Sequence, residues 1–366
     1  MWTRRQFLVR STAVSFALAP GSWTFSAPPP PKREAREADQ LIPPETRKAI
    51  DAGLKFLGEG QHRDGSFGNG DYQGNVGVTS LAGLAFLAAG HKPDVGPRGK
   101  ILAKTLDFVL AQENRGGGHP GYLYNPETSR FVAMYSHGFG TLFLASLHGT
   151  VKDDKQAAKR REVLERAVKL IVACQNKEGG WRYTLTSKDA DISVTTCVMM
   201  ALGTARQSGL TVPKKTIDAG VNYIKKRFWP ATGKFWYQRW SDPGTAFSRN
   251  AAALATLQVM GIHKGEEFEK GLAYLIKNKP APMPRRAGLH YFYGHYYAAR
   301  VLHGRSGKIW KDWYTAIRKE LQDQQRANGS WEGRIDPHYV TAMACLVLLS
   351  PDGRLVVRSE QKKDGE

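Results

Sequence analysis

Six stretches of the chain are almost free of charged residues and rich in Ala, Gly, Ser and Thr. They cover residues 76–89, 138–147, 192–205, 246–260, 291–302 and 339–349. Each is long enough for about three helical turns or more. A helix that is apolar all round is a buried helix, so these stretches predict six buried helices.

A stretch of mixed character precedes each of them. Apolar residues recur in 50–57, 106–110, 168–171, 221–224, 272–275 and 317–321, and lysines and glutamates stand within or beside these runs. One apolar stripe and one charged face are typical of a helix on the outside of an assembly. No segment alternates with the period of two that a half-buried strand has. The pattern therefore predicts helical hairpins and no strands.

The connection from the surface helix to the buried helix carries a repeated pattern of Gln, three residues, Gly, one residue and an aromatic residue. It occurs at Gln61–Phe67, Gln175–Trp181 and Gln325–Trp331, and Gln112 with glycines 116–118 keeps it without the aromatic residue. Successive Gln residues are 51, 63 and 150 residues apart, and 150 is three steps of 50. A period of this size marks a repeat architecture. We therefore predict an all-α protein, a single α6/α6 toroid closed from six helical hairpins.

The two ends of the chain differ from its centre. We divide the sequence into an export signal, a linker, the toroid and a charged tail, at residues 1–27, 28–43, 44–350 and 351–366. Thr3–Leu8, with Arg4 and Arg5, resembles a twin-arginine export motif, and the apolar stretch 11–19 is too short to span a bilayer. We expect an exported protein, periplasmic or otherwise extracytoplasmic, that stays anchored to the membrane if the leader is retained.

The charge of the chain favours anionic partners. Lys and Arg number 53 against 33 Asp and Glu, which gives a net charge of +20. Such a field attracts anionic small molecules and anionic membrane surfaces. The basic residues are scattered and come without a zinc-finger or RNA-binding signature, so nucleic acid is not indicated. The three cysteines each lie in an apolar helical run, which indicates buried thiols rather than disulfides.

Polar and aromatic residues cluster where the buried helices begin. In a closed barrel these starts meet at one mouth of the cavity, which is the default place for a ligand. We predict that substrate is bound there by His137, Arg249, Asn250, Tyr293, Trp236 and Tyr339. The expected partner is an apolar or anionic small molecule.

The Gln–Gly–aromatic loops resemble the QW motifs of the squalene-hopene cyclase and protein prenyltransferase superfamily, the terpenoid-cyclase α/α toroids, over roughly residues 46–350. Asp189-Ala190-Asp191-Ile192 is similar to the Asp-x-Asp-Asp motif of class II terpene cyclases, whose middle Asp protonates an alkene or epoxide. The resemblance implies catalytic roles for Asp191, as the acid, and for Asp189. Ile192 replaces the last Asp of the motif. Asp191 can equally be the cap of a helix that begins at Ile192.

The prenyltransferase branch of the superfamily implies two further roles. Asp336, His338 and His295 resemble its zinc ligands, although the cysteine of that pattern is absent, and the histidines can instead form hydrogen bonds. No other cofactor is indicated. His137-Gly138 resembles its diphosphate-binding His-Gly, which Arg249 could assist.

Three functions remain open from the sequence. The first is an exported terpene cyclase/prenyltransferase-like protein that acts on or binds an isoprenoid or another apolar molecule with an anionic end. The second is a non-catalytic barrel that binds lipid, glycan or protein. The third is an enzyme that degrades acidic polysaccharide. An open apolar cavity at the mouth favours the first, whereas a plugged barrel would remove the enzyme interpretation.

Overall fold

The computed structural model describes residues 41–116, 118–128, 133–151, 156–238, 246–278, 290–305 and 307–353. The predicted export signal, residues 1–27, lies outside the described residues. So do the linker up to residue 40 and the tail from residue 354.

Twelve helices form the described part of the chain, and they alternate between two kinds. The amphipathic kind comprises α1 Pro44–Glu59, α3 Gly96–Ala111, α5 Ala157–Ala173, α7 Lys214–Lys225, α9 Glu266–Lys277 and α11 Gly307–Asp323. The apolar kind comprises α2 Val76–Ala88, α4 Ala133–Thr150, α6 Ile192–Gln207, α8 Ala246–Val259, α10 Tyr291–His303 and α12 Pro337–Leu348. None of these helices is long and apolar enough to cross a bilayer.

The apolar helices form a closed inner ring. Each packs against the next along the chain, and α12 packs against α2. Every residue of α2 is buried, whereas α1 buries one stripe that includes Ile50, Leu54 and Leu57. The predicted all-α toroid is therefore confirmed.

The sequence pattern pairs each outer helix with the inner helix that follows it, but the most extensive packing in the structure joins different pairs. Each outer helix packs mainly on the inner helix that precedes it, and α1 packs mainly on α12. The short connections, such as residues 89–95 and 208–213, join an inner helix to the following outer one. Long connections, such as residues 174–191, lead from an outer helix to the next inner one. The ring therefore closes by packing the first helix on the last.

The Gln residues of the loops tie successive outer helices together. Nε2 of Gln175 donates to the carbonyl of Gly179 at 2.8 Å and to that of Thr216, on the next outer helix, at 3.0 Å. Nε2 of Gln325 makes the corresponding bonds to Gly329 and to Ala49 of α1, at 2.9 and 2.8 Å. The last loop is thereby bonded to the first helix.

The loop glycines are required by close contact as well as by backbone conformation. Gly179 has φ +88°, and a Cβ there would lie 2.5 Å from the carbonyl oxygen of Ala219. In the second repeat the residue in this position is Gly121, also at φ +88°, whose Cβ would lie 2.6 Å from the Arg166 carbonyl oxygen. The sequence pattern matched the glycines at 116–118 to this position, which was wrong. The second repeat has extra residues between Gln112 and the equivalent glycine, Gly121.

Two short antiparallel ladders correct the prediction of no strands. β1 Glu113–Asn114 pairs with β2 Tyr122–Leu123, and β3 Phe228–Trp229 pairs with β4 Lys234–Phe235. Each strand has two residues, which is too short to produce a detectable alternation.

The prediction for the cysteines holds in two of three cases. Cys197 and Cys345 are buried, Cys174 is half-buried, and all three are free thiols.

Candidate functional site

A cavity of about 350 Å³ lies at the end of the inner ring where the helices begin. Every inner helix contributes to its wall from its first two turns, through Val78, Tyr135, Ser193, Ser248, Tyr293 and Tyr339. Tyr72, Tyr183, Tyr237, Leu81, Phe139 and Ile335 add phenol and apolar surface. The mouth is therefore open, and its wall is mainly apolar.

The N-termini of the six inner helices lie at this end of the ring. Unpaired amides and the aligned peptide dipoles place partial positive charge at a helix N-terminus. Three of the ends are capped by side chains: Asn75 accepts from Val78 N at 3.1 Å, Asp191 from Val194 N at 2.9 Å, and Asp336 from His338 N at 2.8 Å. At two of these three ends the capping group is itself a carboxyl group, Asp191 or Asp336, so those amides are already engaged.

Asp191 uses its two carboxyl oxygens differently. Oδ1 caps α6 through Val194 N, which confirms the alternative role of helix cap. Oδ2 is buried and has no hydrogen-bond partner of normal geometry among the described residues. Burial raises the pKa of the carboxyl to about 6, against the opposing effects of the Val194 and Ser193 amides, Arg182 and Tyr237. The carboxyl therefore releases its proton near pH 6, about two pH units above an ordinary Asp, and is mostly ionised at pH 7.

Asp191 lies behind a group of phenols that separates it from the cavity. Tyr135, Tyr183 and Tyr237 line the cavity, while Asp191 does not. The Tyr183 and Tyr237 hydroxyls are hydrogen-bonded to each other, and the Tyr135 and Tyr183 rings lie 6.5 Å apart. Burial, and then the charge of Asp191, raise the pKa of Tyr135 and of Tyr237. The carboxyl is thus electrostatically coupled to the cavity wall.

Asp189 points away from Asp191. Its side chain is half exposed and pairs with Arg182 at the surface. Nε2 of Gln238 donates to the same carboxylate at 3.2 Å and to the Ala190 carbonyl at 3.3 Å. The structure does not bring Asp189 into the cavity, and its contacts fix the loop that leads to α6.

His137 and Asn250 lie in the wall and not on the cavity surface. Nδ1 of His137 accepts from Leu123 N at 3.2 Å, and Oδ1 of Asn250 accepts from Phe235 N at 3.0 Å. In three other repeats a loop amide donates in the same way to a hydroxyl of the inner helix, that of Thr79, Thr195 or Thr341. Burial lowers the pKa of His137 to about 3, so the imidazole is neutral. These contacts favour a structural role over the predicted binding of substrate.

Arg249 is on the cavity wall, as predicted, together with Tyr293 and Tyr339. Its Nε donates to the Phe235 carbonyl at 3.1 Å, which holds the guanidinium against the wall. Burial, and then the charge of Arg249, lower the pKa of the neighbouring His290.

Trp236 is outside the cavity. Its ring stacks on Trp229, with the centroids 4.8 Å apart, and Trp229 is 40% exposed. The indole pair belongs to the hairpin of β3 and β4, which leads into Tyr237 of the cavity wall.

The three residues suggested as zinc ligands are not brought together. His295 packs among the rings of Phe247, Tyr291 and Trp313. Asp336 and His338 form their own pair, with 3.3 Å between Oδ1 and Nδ1. In the part of the chain that the structure describes, no group of three or more His, Cys, Asp or Glu side chains could hold a metal ion.

Several cavity residues were not identified from the sequence. Tyr72, Phe139 and Tyr183 line the wall, and no local pattern distinguishes the first two. Tyr183 and Tyr237 each follow a loop aromatic, Trp181 or Phe235, by two residues. This shared spacing could have predicted that Tyr183 and Tyr237 both line the cavity.

No family model matches the sequence, and no curated protein matches it. Among solved structures, a variant of the type II terpene cyclase MstE from Scytonema, in complex with its product merosterolic acid A, matches with a TM-score of 0.58 and 16% identity, over 85% of this chain and 98% of that one. An inactive variant of the α-1,6-mannanase GH76A of Salegentibacter sp. HEL1_6, in complex with α-1,6-mannotriose, has a TM-score of 0.61 and 8% identity, over 85% and 99%. At such identities the likeness shows the α/α toroid fold alone.

Proposed function

We propose that this protein binds an apolar molecule with an anionic end in the mouth cavity. The observation that carries the proposal is the cavity itself, about 350 Å³ with a mainly apolar wall. This volume is within the roughly 300–1,000 Å³ of small-molecule sites.

Three features support an anionic end on the ligand. Arg249 contributes a cation to the wall, and helix N-termini face the same space, although those of α6 and α12 are already capped by Asp191 and Asp336. The net charge of +20 raises the local concentration of anions around the protein. By analogy, a variant of the Scytonema cyclase, 15% identical to this chain, is known in complex with geranylgeranyl dihydroxybenzoate, an apolar chain joined to an aromatic carboxylate.

A cavity-filling variant tests the proposal. Ile335→Trp places an indole at the cavity rim, whereas Ile309→Trp adds the same group to an exposed position of α11. The purified proteins are incubated with a total lipid extract, washed and analysed by mass spectrometry. We expect the wild type and Ile309→Trp to retain the same apolar anions and Ile335→Trp to lose them. Equal retention by all three proteins would contradict binding in this cavity.

Proton donation by Asp191 is a second candidate function. It is favoured by the pKa of about 6, which leaves a minor part of the carboxyl protonated near neutral pH, and by the electrostatic coupling of Asp191 to Tyr135 and Tyr237 of the cavity wall. Asp191→Asn should abolish conversion of geranylgeranyl dihydroxybenzoate, followed by chromatography of the products, while leaving its binding unchanged. Conversion that persists in Asp191→Asn excludes Asp191 as the acid.

The polysaccharide alternative has less support. Glycoside hydrolysis normally uses a pair of carboxylates across the scissile bond. Neither Asp nor Glu occurs among the described residues that line the cavity.

We further propose export through the leader in residues 1–27, on the basis of Arg4 and Arg5. Replacing both arginines by Lys should keep the chain in the cytoplasm, as measured by cell fractionation. An unchanged distribution would contradict this route.

A further inference from the structure

We propose that the hairpin of β3 and β4 docks on an anionic lipid surface and holds the mouth of the ring against the bilayer. This docking surface goes beyond the proposed function, which concerns the cavity. The exposed side chains of the hairpin, their charge and their place beside the mouth support it.

The two faces of the hairpin differ in character. Phe228 is opposite Phe235, and Trp229 is opposite Lys234. Opposite residues of an antiparallel ladder lie on the same face, and so do residues two apart along one strand. Phe228 and Phe235 therefore share one face, which packs on the hydrophobic core. The other face carries Trp229, Lys234 and Trp236 and is turned outward.

The outward face presents a pair of indole rings beside the mouth. Trp229 is 40% exposed, and its ring stacks on that of Trp236, with the centroids 4.8 Å apart and the planes at 23°. Val95 and Ile309, the other large apolar side chains exposed in the described part of the chain, lie at the opposite end of the ring, where the outer helices begin. Tryptophan is enriched at membrane–water interfaces, because its ring is apolar while its N–H is polar. The stacked indoles therefore give the mouth a surface suited to lipid headgroups.

The charge of the hairpin and its flanks is positive. Residues 219–241 contain five basic residues and no Asp or Glu. Lys225 and Arg227 are paired with glutamates of neighbouring segments, at 3.6 and 3.0 Å. Lys226 and Lys234 form no ion pair with any described residue. Lysines close to an anionic membrane strengthen its binding, so these two complement the stacked indoles.

The composition of the hairpin favours lipid over a sugar. A stacked indole can also hold a sugar ring, but sugar hydroxyls need directed hydrogen-bonding partners as well. From residue 226 to residue 236 the sequence contains no Asp, Glu, Asn or Gln. Lysines among indoles are instead typical of segments that lie in the interface of an anionic membrane.

The hairpin is fixed next to the mouth cavity. The Trp236 amide donates to the Arg227 carbonyl at 2.8 Å, and the Ile192 amide, at the start of α6, donates to the Tyr237 carbonyl at 3.0 Å. Tyr237 follows Trp236 directly and lines the cavity. Docking of the hairpin would therefore bring the cavity to the lipid surface, from which an apolar ligand could enter without crossing water.

Quenching by brominated lipid tests this contact. The full-length protein is mixed with vesicles of phosphatidylcholine and phosphatidylglycerol whose acyl chains are either brominated or ordinary. Bromine quenches indoles that enter the interface, so the brominated vesicles should lower the tryptophan emission of the wild type. The double variant Trp229→Phe with Trp236→Phe keeps aromatic rings for docking and should show a clearly smaller loss. An equal loss in both proteins would overturn the proposal, and the leader contributes equally to both.

Vesicle co-sedimentation measures what the exposed indole contributes. Trp229→Ala should weaken binding by about tenfold or more, because it removes apolar surface that the interface would cover. Ile309→Ala removes an exposed apolar side chain from the first turn of α11, at the opposite end of the ring, and should leave binding unchanged. Equal effects of these two variants would contradict docking through the hairpin.

Two pairs of glutamine variants measure what the charge contributes. Lys226→Gln together with Lys234→Gln should weaken binding to the phosphatidylglycerol vesicles by about tenfold or more. Lys92→Gln together with Lys264→Gln removes the same charge from exposed positions at the opposite end of the ring. This control should have little effect, because charges further from the surface than about 8 Å are screened at physiological salt.

The remaining outcomes identify a wrong partner. Binding that is equally tight to vesicles of phosphatidylcholine alone overturns the anionic surface. A polysaccharide that binds the wild type but not Trp229→Ala, when the wild type does not bind vesicles, would assign the hairpin to a glycan and overturn the proposal. Neither result affects the proposed function, because retention of a ligand in the cavity is measured separately.

Discussion

Replacing Asp191 by Asn separates the two roles of this carboxyl. Asn is as good a helix cap as Asp, so its amide oxygen can accept the bond from Val194 N that Oδ1 accepts now. The substitution removes the titrating proton and keeps the size of the side chain. We therefore expect Asp191→Asn to change how stability depends on pH, while α6 remains intact.

The magnitude follows from the shifted pKa. Burial raises the pKa of Asp191 from 3.8 to about 6 in the folded chain. Between these values the folded chain holds a proton that the unfolded chain has released, so the free energy of unfolding falls as the pH rises. The window spans about two pH units at about 1.4 kcal/mol each, which gives about 3 kcal/mol. This stability is present below the lower value and lost above the higher one.

The assay compares the two proteins by urea unfolding at a series of pH values. His137 and His295, whose pKa values burial lowers to about 3, also destabilise the fold as the pH falls below about 6.5. Their contribution is the same in both proteins and cancels in the difference. We expect Asp191→Asn to match the wild type near pH 4 and to exceed it by about 3 kcal/mol at pH 8.

Asp191→Ala serves as the control, since it removes the cap as well as the charge. Its difference from Asp191→Asn should be about 1 kcal/mol at every pH. The account of a buried carboxyl with a raised pKa would be refuted by either of two results. In the first, the difference in free energy of unfolding between the wild type and Asp191→Asn does not vary with pH. In the second, this difference increases as the pH falls.

Three further predictions concern the contacts that build the ring. His137→Leu should lower the free energy of unfolding by about 1–3 kcal/mol, because it leaves the buried Leu123 amide without an acceptor. His137→Asn keeps an acceptor and should leave the free energy of unfolding nearly unchanged. Equal losses in the two variants would contradict the role of His137 as the acceptor for this amide. Gly179→Ala should lower the free energy of unfolding by at least about 1 kcal/mol more than Gly209→Ala. Both glycines have positive φ, but an added Cβ contacts a carbonyl oxygen only at Gly179. Equal losses would exclude this close contact as the cause. Gln325→Leu should cost about 1 kcal/mol and speed hydrogen exchange in α1, and unchanged exchange there would show that this bond does not close the ring.

The ring could be predicted from the sequence because helical periodicity and repeat length are local properties. Ile192 and Tyr291 begin their helices where the pattern changes from polar to apolar. The start of α4 was missed by five residues, at Ala133 instead of residue 138. The polar residues before Gly138 resemble a loop in the sequence. One of them, His137, instead lies within the helix, where its side chain accepts a hydrogen bond from the loop amide of Leu123.

The site was predictable in position but only partly in detail. Inner-helix starts were expected to meet, and Arg249, Tyr293 and Tyr339 do line one cavity. His295 is two residues after Tyr293, which is about 200° further round a helix. It therefore faces Trp313 of α11 and not the axis, so the zinc ligands could not meet. Sequence spacing identifies a helix start but not which side chain faces the axis.

The surroundings of Asp191 depend on contacts between repeats. Its cap role is local and was recognised as an alternative. The phenols that enclose it come from three different segments, and Tyr237 reaches it from the loop of the next repeat. No pattern within one repeat encodes that approach.

The most direct measurement is a crystal structure of the protein with dodecanoate brominated at its terminal carbon, read by anomalous scattering. We predict one bromine peak beside Val78, Leu81 and Phe139, with the carboxylate at Arg249. A bromine peak elsewhere, such as the surface groove between α1 and α3, or an empty mouth at saturating ligand, would contradict the account.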